Sequence, residues 1–196
     1  MFEKSPPTEN FLAFIEANKH YSKSFDQSEL QPAPTKHFAI LTCMDARMDP
    51  YKFAGLNDGE AHIIRNAGGR ATDDAIRSLI ISHKFLGTLE WFVIHHTNCG
   101  MTLVTDEKIG ELLDDDLETA VFDGENWLNP PRESSNNTKP SSDAGKCMQW
   151  HTFTDLNQSV LNDMNTIKNH PLVPSHIRVY GFIFDVKTGK LAPVTA

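Results

Sequence analysis

The sequence predicts an α/β fold, a mostly parallel sheet of four to five strands flanked by helices. Short, largely apolar runs recur at Phe38-Ala39-Ile40-Leu41-Thr42, Ala61-His62-Ile63-Ile64-Arg65 and Trp91-Phe92-Val93-Ile94-His95, as expected of buried parallel strands. Segments of helical spacing lie between and after these runs. With 196 residues, 39% of them hydrophobic and 22% charged, the chain is sized for one domain with a proper core. Residues 1–196 are therefore read as a single domain.

Each element follows in order. Thr8 is expected to cap a helix running to about Tyr21, whose Phe11, Phe14 and Ile15 form an apolar stripe that packs on something, with a partner subunit as one candidate. Gln31-Pro32-Ala33-Pro34 reads as a linker into the first strand, which ends on Cys43. The second strand runs into Asn66-Ala67-Gly68-Gly69, after which Thr72 or Asp73 caps a helix with Ile76, Leu79, Ile80 and Phe85 facing inward. The third strand delivers His96 and Cys99 into the loop at its end. Open α/β sheets bind their ligands past the carboxyl ends of their strands, so both clusters arrive where chemistry is expected.

A helix from Thr105 to about Leu113 comes next. Residues 114–149 are polar, broken by Asn129-Pro130-Pro131 and by a Ser- and Asn-rich run beginning at Ser134, and read as an irregular surface insertion. A helix after Thr154, carrying Leu156, Val160, Met164 and Ile167, leads to a strand from Ile177 to Val186. A turn at Lys187-Thr188-Gly189-Lys190 then returns the chain to a short edge strand at 191–194.

Composition narrows the function. A net charge of -8 with no basic cluster argues against nonspecific nucleic-acid binding. No apolar run approaches membrane-spanning length, and the opening Met1-Phe2-Glu3-Lys4-Ser5-Pro6-Pro7 lacks the regions of a signal peptide, so a cytoplasmic location is expected. Three widely spaced cysteines, Cys43, Cys99 and Cys147, make a poor disulfide framework and suit reduced thiols. Cys147, with no ligand partner nearby in sequence, reads as a spectator.

The chemistry lies in Cys43-Met44-Asp45-Ala46-Arg47 and His96-Thr97-Asn98-Cys99. Two thiols and an imidazole give a tetrahedral zinc ion three protein ligands and leave one position open, which is the catalytic pattern. A closed structural site would need a fourth Cys or His, whereas the extra groups here are Asp45 and Arg47. The expected enzyme holds one zinc per chain on Cys43, His96 and Cys99, with Asp45 and Arg47 catalytic. Asp45 would orient a zinc-bound hydroxide, and Arg47 would keep that carboxylate ionised and fixed through a bidentate pair. Ala46, Ala67, Gly68 and Gly69 are expected to line a narrow pocket suited to a small linear substrate. Neighbours on a strand point to opposite faces, so only one of His95 and His96 can aim at the zinc. Gly68-Gly69 is no phosphate loop, since it lacks both GxGxxG and the Walker lysine.

This arrangement resembles the β-class carbonic anhydrases. In that family a Cys-x-Asp-x-Arg after the first strand and a His-x-x-Cys after a later one hold catalytic zinc, here Cys43, Asp45, Arg47, His96 and Cys99. The resemblance continues through Gly59-Glu60-Ala61, the Arg65-Asn66-Ala67-Gly68 loop and His95 to Gly100, and covers most of residues 36–113 and 150–194. It selects His96 over His95 and implies a homodimer as the minimal unit, often a homotetramer. The glutamine that plant-type members use to hydrogen-bond bicarbonate has no match, since Gln31 lies too far back and the corresponding offset falls near Pro34.

The compact core resembles the small branch of the family, which contains carbon dioxide hydratases and hydrolases of carbonyl sulfide or carbon disulfide. The implied reaction adds zinc-bound hydroxide to a small linear heterocumulene. Hydration of carbon dioxide to bicarbonate and hydrolysis of carbonyl sulfide to hydrogen sulfide and carbon dioxide stand level. Two other classes compete: a cysteine hydrolase with Cys43 as nucleophile and His96 as base, and a catalytically silent zinc-binding scaffold.

Overall fold

A computed structural model describes residues 6–131 and 141–195, which divide into two compact units between Pro32 and Ala33. The N-terminal unit is built on α1 (Glu9–Lys23). Thr8 caps it, its hydroxyl accepting from the Phe11 N–H at 3.2 Å, as its residue type dictates. No residue of α1 is buried, and the stripe of Phe11, Phe14 and Ile15 is bare.

The larger unit runs β1 (Phe38–Cys43), α2 (Pro50–Phe53), β2 (His62–Asn66), α3 (Asp73–Lys84), β3 (Glu90–His96), α4 (Asp106–Asp115), β4 (Val121–Phe122), β5 (Trp127–Leu128), α5 (Leu156–Lys168), β6 (Arg178–Phe184) and β7 (Leu191–Val194). Its main sheet has the order β2-β1-β3-β6-β7. The first four strands are parallel and β7 closes the edge antiparallel to β6, giving the mostly parallel five-stranded sheet expected. The uninterrupted apolar run of β1 is buried from Ala39 to Cys43 because parallel strands flank it on both sides. Its one hydroxyl is satisfied, Thr42 Oγ1 donating to the Ile94 carbonyl at 2.7 Å. The mixed composition of β2 fits its place at the sheet edge, where it is only partly buried.

One face of the sheet is aliphatic and covered by helices. Ala39, Leu41, Val93 and Val179 pack with Trp91 against Ala75, Ile76 and Leu79 of α3 and Val160, Met164 and Ile167 of α5. Gly181 in β6 permits that approach, since a Cβ there would overlap Met164 and Val160. The other face is aromatic, with Phe38, Phe92 and Phe182 packed on Ile40, Ile94 and Phe184. Phe85 does not face inward as the spacing predicts: it is 73% exposed. The reason is that α3 ends at Lys84, leaving Phe85 as its cap residue, and Gly87 at φ +75° then turns the chain.

Within 114–149 the described residues carry a β4–β5 hairpin and a 3-10 turn, Asp143–Cys147. That turn lies close against α4 at Gly110 and Gly145: a Cβ on Gly145 would stand 2.8 Å from Leu113 Cδ1. Asp106 then anchors the returning chain by accepting from the N–H groups of Trp150 and Thr152. Each piece is too short to show a period in sequence. Residues 134–140 of the Ser- and Asn-rich run, and residues 1–5, lie outside the described residues. No described helix is long and apolar enough to cross a membrane.

Candidate metal centre

The strand ends assemble the site. Cys43 is the last residue of β1 and His96 the last of β3, so His96 stands on the strand itself rather than in the loop beyond it. Thr97 pins that end to β6, its N–H donating to the Phe184 carbonyl and its hydroxyl accepting from the Val186 N–H. Asn98 takes a left-handed φ of +54°, a conformation asparagine tolerates, and leads directly into Cys99. The donor atoms of Cys43, His96 and Cys99 lie within 4.8 Å of one another, and all three residues are buried.

Their electrostatics fit a cation. His96 Nδ1 sits 3.0 Å from the Thr97 carbonyl, which can only accept, so Nδ1 carries the hydrogen of that bond and Nε2 turns into the site. Nε2 is buried with no hydrogen-bond partner among the described residues, and the nearby Asp45 Oδ2 is 3.7 Å away. The hydrogen bond from Cys99, helped by His96 and the backbone N–H groups of Asp45 and Gly68, outweighs burial and brings the Cys43 thiol down to about 4. The same contact, together with burial, pushes the Cys99 thiol up. Two buried sulfurs and an imidazole nitrogen with no hydrogen-bond partner among the described residues make a donor set suited to zinc.

Asp45 and Arg47 meet as a fork. Arg47 Nε donates to Oδ1 at 2.9 Å and Nη2 to Oδ2 at 2.7 Å, while its backbone N–H adds a third bond at 2.9 Å. The guanidinium outweighs burial and holds the carboxyl down at about 2. Two further groups brace this pair. Asn98 accepts from Arg47 through its carbonyl at 2.9 Å and its Oδ1 at 3.2 Å. Arg65 donates to the carbonyls of Cys43 and Asp45 at 2.9 and 2.7 Å. Sequence reasoning singled out neither role. Asn98 lies inside the His-x-x-Cys spacing and Arg65 inside the loop motif, but only the folded geometry reveals their partners.

A cavity of about 630 Å³ opens on these groups. Cys43, Asp45, Arg47 and Cys99 line it together with Ala46, Ala67 and Gly68. Gly69, expected among the pocket residues, is buried behind that wall: at φ +70° it lies so close to β1 that a Cβ would stand 2.8 Å from the Cys43 nitrogen. His95 points to the opposite face, its Nε2 3.1 Å from Asp163 Oδ2. Cys147 is exposed and outside the metal-ligating group.

A family model described as carbonic anhydrase matches residues 38–191. β-Carbonic anhydrase 1 of Mycobacterium tuberculosis is 40% identical over 188 residues, 96% of this chain and 98% of that relative. The chain belongs to the β-class carbonic anhydrase family. The solved carbonic anhydrase of Streptococcus mutans matches it with a TM-score of 0.80 at 38% identity, covering 97% of this chain and all of that one (100%). A carbon disulfide hydrolase of Acidianus is 33% identical over 157 residues, 78% of this chain and 74% of the relative. The protein is thus a carbonic anhydrase-family enzyme. Its Cys-His-Cys group is compatible with zinc-dependent hydration of carbon dioxide or hydrolysis of a related heterocumulene. Gln31 donates its side-chain amide to the Glu29 carbonyl, and Pro34, in the larger unit, is not among the residues that line the cavity.

Proposed function

We propose that this β-class carbonic anhydrase family member holds one zinc ion per chain on Cys43 Sγ, His96 Nε2 and Cys99 Sγ and reversibly hydrates carbon dioxide to bicarbonate. One observation carries the reading: three buried soft-to-borderline donors converge beside a carboxylate locked by a guanidinium, and Cys43, Cys99, Asp45 and Arg47 line one cavity. Bound there, zinc would bring the pKa of a coordinated water toward neutrality and so supply hydroxide.

The chain does the rest. Two thiolates and the Asp45 carboxylate, set against the Arg47 guanidinium, leave a net double negative charge that a divalent cation neutralises. Asp45 stays ionised well below neutral pH, so its carboxylate would accept a hydrogen bond from a hydroxide presented at the three donors and orient it. Arg47 and Asn98 fix Asp45 in turn. Ala46, Ala67 and Gly68 place no bulky side chain on the approach.

Hydrolysis of carbonyl sulfide or carbon disulfide is the second reading. Carbon disulfide hydrolases at 33% and 36% identity favour it, and the attack at carbon is of the same kind. The longer and higher match, 40% over 96% of the chain, supports carbon dioxide first. A cysteine hydrolase has no use for a second thiol around its nucleophile, and a silent scaffold none for the braced Asp45. The bare apolar stripe of α1 supports a homodimer as the minimal unit. Cysteines that form no disulfide support a cytoplasmic location.

The test is turnover of carbon dioxide, carbonyl sulfide and carbon disulfide side by side on metal-quantified protein, with light scattering for the oligomer. Expected are one zinc per chain, carbon dioxide hydration that a chelator abolishes and zinc restores, and a dimer or tetramer. Full activity without metal would reject the zinc reading. Faster turnover of either sulfur compound would favour the second one.

A further inference from the structure

The helix-covered face of the sheet contains a charged cluster that its aliphatic packing does not require. Asp163, on α5, accepts from Arg70 Nε at 2.8 Å, from Arg70 Nη2 at 3.1 Å and from His95 Nε2 at 3.1 Å. The side chains of Asp163, Arg70 and His95 are only 6%, 12% and 0% exposed. Burial alone would raise the Asp163 carboxyl, but the bonds from His95 and Arg70 hold it below the usual carboxylate range. Well-packed apolar residues often serve stability at least as well as a buried ionic group, so stability alone does not account for this one.

Both partners of Asp163 lead to the metal centre. The Arg70 N–H donates to Asn66 Oδ1 and its carbonyl accepts from Asn66 Nδ2, each at 2.7 Å, which closes the 66–70 loop. That loop places Ala67 and Gly68 in the cavity wall and seats Gly69 against the backbone of Cys43. Arg70 also donates to the His151 carbonyl and lies over the Phe153 ring, 5.3 Å from its centre. On the other side, His95 directly precedes His96 on β3, and its ring lies 5.5 Å from the same Phe153.

We infer that Asp163 is a positioning residue of the metal centre: through Arg70 it sets the loop that backs Cys43, and through His95 the strand end that presents His96. The inference rests on the reading that Cys43, His96 and Cys99 hold zinc. An outer-shell role of this kind is worth about 10- to 100-fold in metal affinity or activity.

The experiment compares zinc-loaded wild type with Asp163→Asn, Arg70→Lys and His95→Phe. It reads chelator-driven zinc release, the absorption bands of the cobalt-substituted proteins, and kcat and KM for carbon dioxide. Asp163→Asn and Arg70→Lys are each expected to release zinc about tenfold faster and to shift the cobalt bands. They should also lower kcat about tenfold with KM little changed, while His95→Phe, which cuts one arm only, does less. Folded variants with wild-type release rates, bands and kcat would overturn the inference. If Asp163→Asn fails to fold, Arg70→Lys, which keeps the charge but loses the fork, decides by the same criteria. A wild type that takes up no zinc would instead overturn the site reading and the inference with it.

Discussion

The two faces of the central sheet have been put to different uses, and β3 shows the contrast within one dipeptide. His95 points into the face covered by α3 and α5, where its Nε2 is tied to Asp163. His96 points the other way, into the aromatic face, where its Nε2 has no hydrogen-bond partner among the described residues and lies beside two cysteines. The covered face buries aliphatic area and supplies stability. The other face keeps a cavity open and spends its hydrogen bonds on holding Asp45, Arg47 and Asn98 in place. Outside the Asp163–Arg70–His95 cluster, stability and reactivity can therefore be perturbed separately, one face at a time.

The largest separation should come from Cys43→Ser. Losing a ligand exceeds the roughly 10- to 100-fold penalty of an outer-shell change, so zinc content and carbon dioxide hydration should both collapse while circular dichroism stays native. Metal analysis with stopped-flow assay checks this; a zinc-replete, active variant would erase the contrast. Arg47→Ala comes next. It leaves the three donors intact but frees the carboxylate, so zinc should be retained while kcat falls about 10- to 100-fold.

On the covered face the sign reverses. Leu79→Ala, at a fully buried position of α3, should cost about 2–5 kcal/mol in urea unfolding. Zinc content and kcat per folded molecule should stay unchanged. Phe85→Ala, six positions later but exposed, should stay within about 0.5 kcal/mol of wild type, and a larger loss would show that its ring has a partner.

The smallest effect is one of pH. Because the folded-state pKa of Asp163 is depressed, its contribution is present above the unfolded carboxylate value of about 3.9 and is lost as pH falls through the folded value. The difference in unfolding free energy between wild type and Asp163→Asn should hold constant from pH 7 to about 5 and shrink below about 3.9. A difference that grew with acid would reverse the sign of the linkage.

Much of this molecule was legible one residue at a time. Thr8 announces its helix because a cap is a contact across three residues, Thr72 is the cap of the two residues the sequence offered, and Thr105, read as the start of its helix, caps it from one residue before. The runs at β1 and β3 announce buried strands through composition alone, and the spacing of Cys43 to Arg47 and of His96 to Cys99 needs no long-range knowledge to suggest a zinc site. Strand ends were off by a residue or so, which moved His96 from loop to strand without changing its role.

What the tertiary structure alone decided lies across longer separations. Asn98 braces Arg47 from 51 positions away, Asp163 meets Arg70 across 93 and His95 across 68, and no local period marks such pairs. The same holds for Gly69, whose place behind the cavity wall follows from how closely the 66–70 loop approaches β1. The sequence by itself determined which residues could bind a metal and where each strand would present them. The choice of supports for those residues was left to the register of β1, β2 and β3 and to the docking of α5, because side chains distant in sequence become neighbours only once parallel strands are paired and covered.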